Sequence, residues 1–197
     1  KFLKGIFPGV TEYISNHFDV KNNAMLIYNK NLSVCPVTTH LPIKDVAKNI
    51  NKTAIKNKII LINNFYKKKL NIKPKIAVLG LNPHCESFSK LDEDKEIIKP
   101  AINSLNKKIK VSGPYPADTI FLHKNRKKFD VIIGMYHDQV LSPLKTLFEY
   151  DAINVTLGLP FLRVSPDHGT ATDIIGKNKA DPKSLLKCIN FINKFGK

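Results

Sequence analysis

The stretch "FDVIIGMYHDQVLSPLK", residues 129–145, sets the β-prone apolar residues Val131, Ile132 and Ile133 directly before Gly134, Met135, Tyr136 and the titratable pair His137 and Asp138. A short continuous apolar run of this kind marks a strand buried on both faces of a mostly parallel sheet. In open α/β sheets ligands bind beyond the carboxyl ends of the strands, so polar residues gathered there point to a site rather than to a misplaced core. The arrangement recurs at "KIAVLGL", residues 75–81, which ends in Asn82, Pro83 and His84. It recurs again at "LSVCPVT", residues 32–38, which leads through Thr39 to His40.

The rest of the chain fits an α/β plan around these strands. "AMLIYN" (24–29) and "LSVCPVT" are joined by the turn-prone Asn29, Lys30 and Asn31, which predicts a hairpin. Val46, Ile50, Ile55, Ile59, Ile62 and Phe65 recur at helical spacing with lysines between them, predicting one or two amphipathic helices. "LDEDKEIIKPAINSLNKK" reads as a helix with acids in its first turn, lysines in its last and a break at Pro100. "INVTLG" (153–158) is a further strand, and "DPKSLLKCINFINKF" a last helix, capped by Asp181 with Pro182 at the first helical position. The change in character near Gly113 is the one hint of a boundary.

The totals exclude several classes. No uninterrupted apolar run approaches the roughly 18–20 residues that cross a bilayer, and no secretory signal is visible, so a cytoplasmic location is expected. Cys35, Cys85 and Cys188 are odd in number, far apart and without a C-x-x-C pattern, which argues against a disulfide framework or a structural zinc knuckle. The formal charge of +16 raises nucleic acid as a partner. Nearly all of that charge is lysine, however; Arg126 and Arg163 are the only arginines, and base readout leans on the arginine fork. No nucleic-acid partner is therefore expected.

Three histidines, His40, His84 and His137, each follow an apolar strand at its C-terminal end. Imidazole is a common ligand of zinc and related divalent ions, and three such ligands leave a coordination position open for substrate. The plain alternative for each is a hydrogen-bonded strand-end histidine, and His17 and His123, in polar lysine-rich segments, take that reading. Cys85 is left out of the ligand set, because adjacent residues seldom face one ion together.

The blocks "TTHLPIKDV", "LGLNPH", "GPYPADTIF", "MYHDQ" and "INVTLGLPFLRVSPDHGTATDIIGKNKAD" together resemble the 4-hydroxythreonine-4-phosphate dehydrogenase family of pyridoxal phosphate biosynthesis. They run in family order from about Gly9 to the C-terminus. The family chain is longer at its N-terminus, so the sequence is expected to be a C-terminal fragment of an α/β, isocitrate/isopropylmalate dehydrogenase-like fold, a two-domain three-layer sandwich. Residues 9–112 would then belong to a substrate, metal and dimerisation domain, and 113–197 to the C-terminal part of the nucleotide-binding domain.

The resemblance implies His40, His84 and His137 as metal ligands for Zn2+, Co2+ or Mg2+. It implies Thr11, Lys145, Asn154 and Arg163 as substrate contacts, and Asp118, Asp138 and Lys145 as catalytic groups. Lys145 and Arg163 suit a phosphate or carboxylate, Arg163 bidentately; Asp118 and Asp138 suit histidine orientation or proton relay, and Asp118 alternatively caps a helix starting at Thr119. His168, Gly169, Thr170 and Ala171 resemble the nucleotide-binding loop of isocitrate and isopropylmalate dehydrogenases, a turn opening a helix near NAD or NADP. No G-x-G-x-x-G is present. A homodimer with the site at the subunit interface is implied, as is a small phosphorylated hydroxy-acid substrate.

Two departures bear on that substrate. Val10 stands where the family has a histidine before Thr11, and it neither donates a hydrogen bond nor holds charge. The glycine-rich stretch expected after His84 is replaced by Cys85, Glu86 and Ser87. The expectation is an NAD- and metal-dependent oxidation and decarboxylation of 4-phosphohydroxy-L-threonine. The alternatives are a sister dehydrogenase of threonate or erythronate 4-phosphate, a lysine-rich nucleic-acid-binding protein that borrows the fold, and an inactive fragment.

Overall fold

A computed structural model describes residues 7, 9–87, 91–169 and 171–196. Seven strands form one sheet: β1 (Ala24–Tyr28), β2 (Ser33–Pro36), β3 (Ile76–Leu79), β4 (Val111–Tyr115), β5 (Val131–Gly134), β6 (Ile153–Leu157) and β7 (Arg163–Pro166). Their spatial order is β4-β3-β5-β2-β1-β6-β7. From β4 to β2 every pairing is parallel; from β2 to β7 every pairing is antiparallel, beginning with the β1–β2 hairpin. Strands from both sides of residue 113 share the sheet.

Helices cover both faces. On one, α3 (Lys52–Phe65) inserts Ile55, Ile59 and Ile62, all fully buried, against Leu26, Cys35, Ile76, Val78, Ile133 and Val155, with α4 (Lys99–Asn103) and α8 (Lys183–Phe195) beside it. The Asn51 side chain starts α3 by accepting from Ala54 N at 2.8 Å. Asn71, with φ 55°, ends the π-helical turn Tyr66–Leu70 that follows. On the other face α7 (His137–Phe148) lays Val140, Leu141 and Leu144 over Ile27, Val34, Ala77, Leu79 and Ile132, with Ile120 of α5 (Ala117–Ile120) nearby.

That second face changes character toward β6 and β7. On β6, Ile153, Val155 and Leu157 point into the first core, so Asn154 and Thr156 point the opposite way. Arg163 and Ser165 pair with Thr156 and Asn154 and extend this polar strip. The sheet is therefore apolar on both sides in its parallel part and on one side only near β6 and β7.

Several segments differ from expectation. Residues 94–103 form a π-helical turn, Asp94–Ile98, running into α4, with Pro100 in the first turn of α4. "VSGPY" is an edge strand, and "RVSP" another at the opposite edge; Gly, Pro and polar residues hide both from a pattern search. Asp118 does not cap a helix at Thr119, because α5 already begins at Ala117 with Pro116 at its cap. The loop after His168 opens no α-helix: only the short 3-10 turn Thr172–Ile174 follows, and Thr170 lies outside the described residues. Asp181 Oδ1 accepts from Lys183 N at 2.8 Å from one residue ahead of the cap of α8, but Pro182, not Asp181, occupies the cap and so does not stand at the first helical position. Among the described residues no helix is long and apolar enough to cross a membrane.

Candidate active site

The carboxyl ends of β2, β3 and β5 lie side by side, because these strands are parallel neighbours. Beyond Pro36 and Gly134 the two chains stay paired: Val37 N donates to Gly134 O at 2.8 Å, and Thr38 donates to Met135 O through both N (3.1 Å) and Oγ1 (2.7 Å). This pairing brings His40 up to His137. Their ring centroids are 6.0 Å apart with 38° between planes. His137 is the first residue of α7, and its Nδ1 lies 2.6 Å from Asp138 Oδ1. His40 Nδ1 lies 3.4 Å from Glu12 Oε1, a carboxylate of α1 (Val10–His17).

His84 ends the neighbouring β3 loop. It sits exposed in a 3-10 turn, Pro83–Cys85, with φ 56°. The turn is pinned from below by Asp94, which is 1 % exposed and accepts from Leu81 N (2.8 Å), Asn82 N (3.1 Å) and Asn82 Nδ2 (3.0 Å). A Cβ on Gly80 would meet Asp94 Oδ1 at 2.5 Å, so only glycine fits under the turn. Gln139, buried in the first turn of α7, joins the two strand ends: Met135 N donates to its Oε1 at 2.6 Å, and its Nε2 donates to Gly80 O at 2.7 Å. Burial, with Asp94 adding to it, pushes the Cys85 thiol up to about 11, so it stays protonated at neutral pH.

The polar strip holds the cations. Arg163 Nη1 donates to Thr156 Oγ1 at 2.6 Å and to Thr11 Oγ1 at 3.1 Å, tying β7 to β6 and to α1. Burial lowers the Arg163 pKa, and the Glu12 charge works against that shift. Asn154 Oδ1 is buried and, among the described residues, has no donor. Lys145, two turns along α7 from His137, has Nζ 2.7 Å from Asp167 Oδ2 and also donates to the Asp167 carbonyl. Asp167 is raised by burial despite this lysine, and its own N–H donates to Ser184 Oγ at 2.9 Å.

The structure thus brings together His40 with His137, and Arg163 with Thr11. Asp118 is exposed on α5, close enough for its charge to act on Cys85. His168 is exposed with its Nδ1 2.9 Å from Gly169 O; a Cβ on Gly169 would meet open space, and Ala171 is left-handed at φ 46°. Among the described residues no group of three or more His, Cys, Asp or Glu is arranged to hold a metal ion, so within one subunit the three imidazoles do not form a closed cluster. The donor chemistry of His40 and His137 nevertheless suits a borderline divalent ion. Each has a carboxylate near Nδ1, which favours a proton there and leaves Nε2 as the free donor. The sequence reading passed over Glu12, Asp94, Gln139 and Asp167; each has a partner remote in the chain, Thr39 at 27 residues, Leu81 at 13, Gly80 at 59 and Lys145 at 22, a relation that local spacing does not flag.

A family model described as "Pyridoxal phosphate biosynthetic protein PdxA" matches residues 3–192. The 4-hydroxythreonine-4-phosphate dehydrogenase of Sulfurihydrogenibium sp. (strain YO3AOP1) is 46 % identical over 187 residues, covering 93 % of this chain and 57 % of that protein. The one from Aquifex aeolicus (strain VF5) is 43 % identical over 188 residues, covering 94 % and 58 %. Among solved structures, the 4-hydroxythreonine-4-phosphate dehydrogenase of Klebsiella pneumoniae superposes with a TM-score of 0.79 at 36 % identity, covering 94 % of this chain and 56 % of that one. The chain therefore spans a little over half the length of these relatives.

Proposed function

The chain belongs to the pyridoxal phosphate biosynthetic protein PdxA family, and on that premise we propose that it carries the metal- and substrate-binding part of an NAD- or NADP-dependent dehydrogenase. Its reaction would be the oxidation and decarboxylation of 4-phosphohydroxy-L-threonine. The observation that carries the reading is the 6.0 Å approach of the His40 and His137 rings at strand ends whose neighbouring polar strip presents Arg163 and Thr11.

His40, His84 and His137 would hold a divalent cation, Zn2+, Co2+ or Mg2+, with the set completed across a homodimer interface. When bound, that cation supplies Lewis acidity for the alcohol to be oxidised, and the nicotinamide supplies the hydride acceptor. Arg163 and Lys145 bind the anionic ends of the substrate; two hydroxyls already orient the guanidinium, and Asp167 holds the ammonium in place. Asn154 offers a buried acceptor that has no donor among the described residues, which a substrate hydroxyl or ammonium would satisfy. Asp138 keeps the His137 ring in one orientation, and Asp118, exposed on α5, would relay a proton. The His168, Gly169, Thr170 and Ala171 loop would lie against the cofactor.

The isocitrate/isopropylmalate dehydrogenase-like two-domain arrangement belongs to the same proposal. The 9–112 and 113–197 division is proposed in functional terms, the first part supplying His40 and His84, the second Lys145, Asn154, Arg163 and the cofactor loop.

Val10 favours a second substrate. It is 51 % exposed in the first turn of α1 and adds no acceptor beside Thr11 for a substrate ammonium, which suits a four-carbon phosphorylated sugar acid, threonate or erythronate 4-phosphate, lacking the amino group. Assaying the full-length protein with each substrate, NAD or NADP and each metal tests both readings. Reduced nicotinamide with one substrate selects between them, and none with either removes the proposal.

A further inference from the structure

Glu12 lies in the first turn of α1 and reaches the loop after β2, 27 residues further along the chain. Its Oε1 accepts from Thr39 Oγ1 at 2.9 Å and lies 3.4 Å from His40 Nδ1. Its Oε2 is buried and, among the described residues, has no hydrogen-bond donor. Burying a carboxylate oxygen bare is unfavourable, and nothing in the packing of an α-helix requires it at this position. Among the described residues, Arg163 and Lys58 feel its charge, and neither is exposed. The spot is also tight: a Cβ on Gly9 would stand 2.6 Å from Glu12 Oε2 and 3.0 Å from His40 Cε1. One residue earlier on the same turn, buried Thr11 accepts from Arg163.

We propose that Glu12 is a positioning residue for His40. Its Oε1, 3.4 Å from Nδ1, favours the proton on that nitrogen, selects the tautomer whose Nε2 lone pair is free beside His137, and ties that ring to the helix turn that also holds Arg163. The single turn of α1 thereby fixes the spacing between the imidazole and the guanidinium. A carboxylate that served only to anchor Thr39 would leave the tautomer indifferent to its removal. The inference rests on the metal-site reading above, and its test separates the two.

The experiment uses the full-length, metal-free protein carrying Glu12→Ala, Glu12→Gln, Thr39→Val or His40→Ala. Long-range proton–nitrogen NMR reads the His40 tautomer, and competition with a chelator reads Co2+ and Zn2+ affinity. For Glu12→Ala, the expected result is a shift of His40 from the Nδ1–H to the Nε2–H form and a loss of about 10- to 100-fold in affinity for both ions. Glu12→Gln, which keeps the volume and an acceptor oxygen, should retain the tautomer and lose less affinity, whereas Glu12→Met, which fills the space without an acceptor oxygen, should shift the tautomer as alanine does and carries the test if the alanine variant fails to fold. Thr39→Val should leave the tautomer unchanged. Wild-type tautomer and affinity within twofold in a folded Glu12→Ala protein would overturn the proposal. Unchanged affinity in His40→Ala would instead overturn the metal site, with the tautomer measurement still deciding whether Glu12 orients the ring.

Discussion

The parallel and antiparallel parts of the sheet spend their side chains differently. In β3 and β5 every residue is buried, Ile76 to Leu79 and Val131 to Gly134, and the polar groups begin only after the strands end. In β6 and β7 polar residues alternate with apolar ones inside the strands, and Asn154, Thr156, Arg163 and Ser165 turn a whole strip of the sheet over to hydrogen bonding. The first arrangement makes an apolar platform with titratable groups at its tips; the second lays a polar surface into the sheet itself, at the expense of core. Stability should therefore be concentrated in the parallel part and substrate recognition in the antiparallel part.

The sharpest way to break this contrast is a pair of truncations. Ile133→Ala, in a central strand at 0 % exposure, should cost roughly 2–5 kcal/mol by urea unfolding, whereas Val164→Ala, on the half-buried edge strand, should cost about 1 kcal/mol or less. Equal losses would mean that stability is not concentrated in the parallel part. Asp94→Ala comes next: it strips three donors of the turn before His84, so a loss of about 3 kcal/mol is expected by the same measurement. Small effects on stability there would show that the turn holds itself.

Arg163→Lys tests the antiparallel part. An ammonium cannot span Thr156 and Thr11 while also meeting an anion in fork geometry, so kcat/KM should fall about 10- to 100-fold with unfolding changed by less than about 1 kcal/mol. The smallest effect is expected at Asp151, between α7 and β6. Burial alone would raise its carboxyl, but Lys187, Lys183 and the Asn29 amide more than reverse this and hold it below its ordinary value. A depressed carboxyl contributes stability that is present above its unfolded pKa and lost as pH falls through the folded one. Asp151→Asn should thus cost less than about 1 kcal/mol at neutral pH, and its unfolding curve should merge with that of the wild type in acid.

The parallel part was legible in the sequence because a strand buried on both faces leaves an unbroken apolar word, such as "IAVL" or "VIIG", with a histidine loop behind it. The edge strands "VSGPY" and "RVSP" were not, since an edge tolerates Pro and Gly and a polar strip looks like loop. Within the candidate site the strand-end histidines announce themselves by context, while Arg163 and Lys145 stood out only through family likeness. Glu12 and Asp94 stayed hidden for another reason: each acts on backbone or side chains that are near in space and remote in sequence, a relation that only the folded sheet creates.

Gln139 carries a last consequence. It accepts a hydrogen bond from the Met135 N–H with one end and donates one to the Gly80 carbonyl with the other, both buried. For β3 to creep along β5, both amide bonds must part with no solvent at hand to replace them. The gap between the two histidine loops is accordingly gauged by a ruler of fixed covalent length, and a residue one methylene shorter, as in Gln139→Asn, would reset the gauge without touching either imidazole.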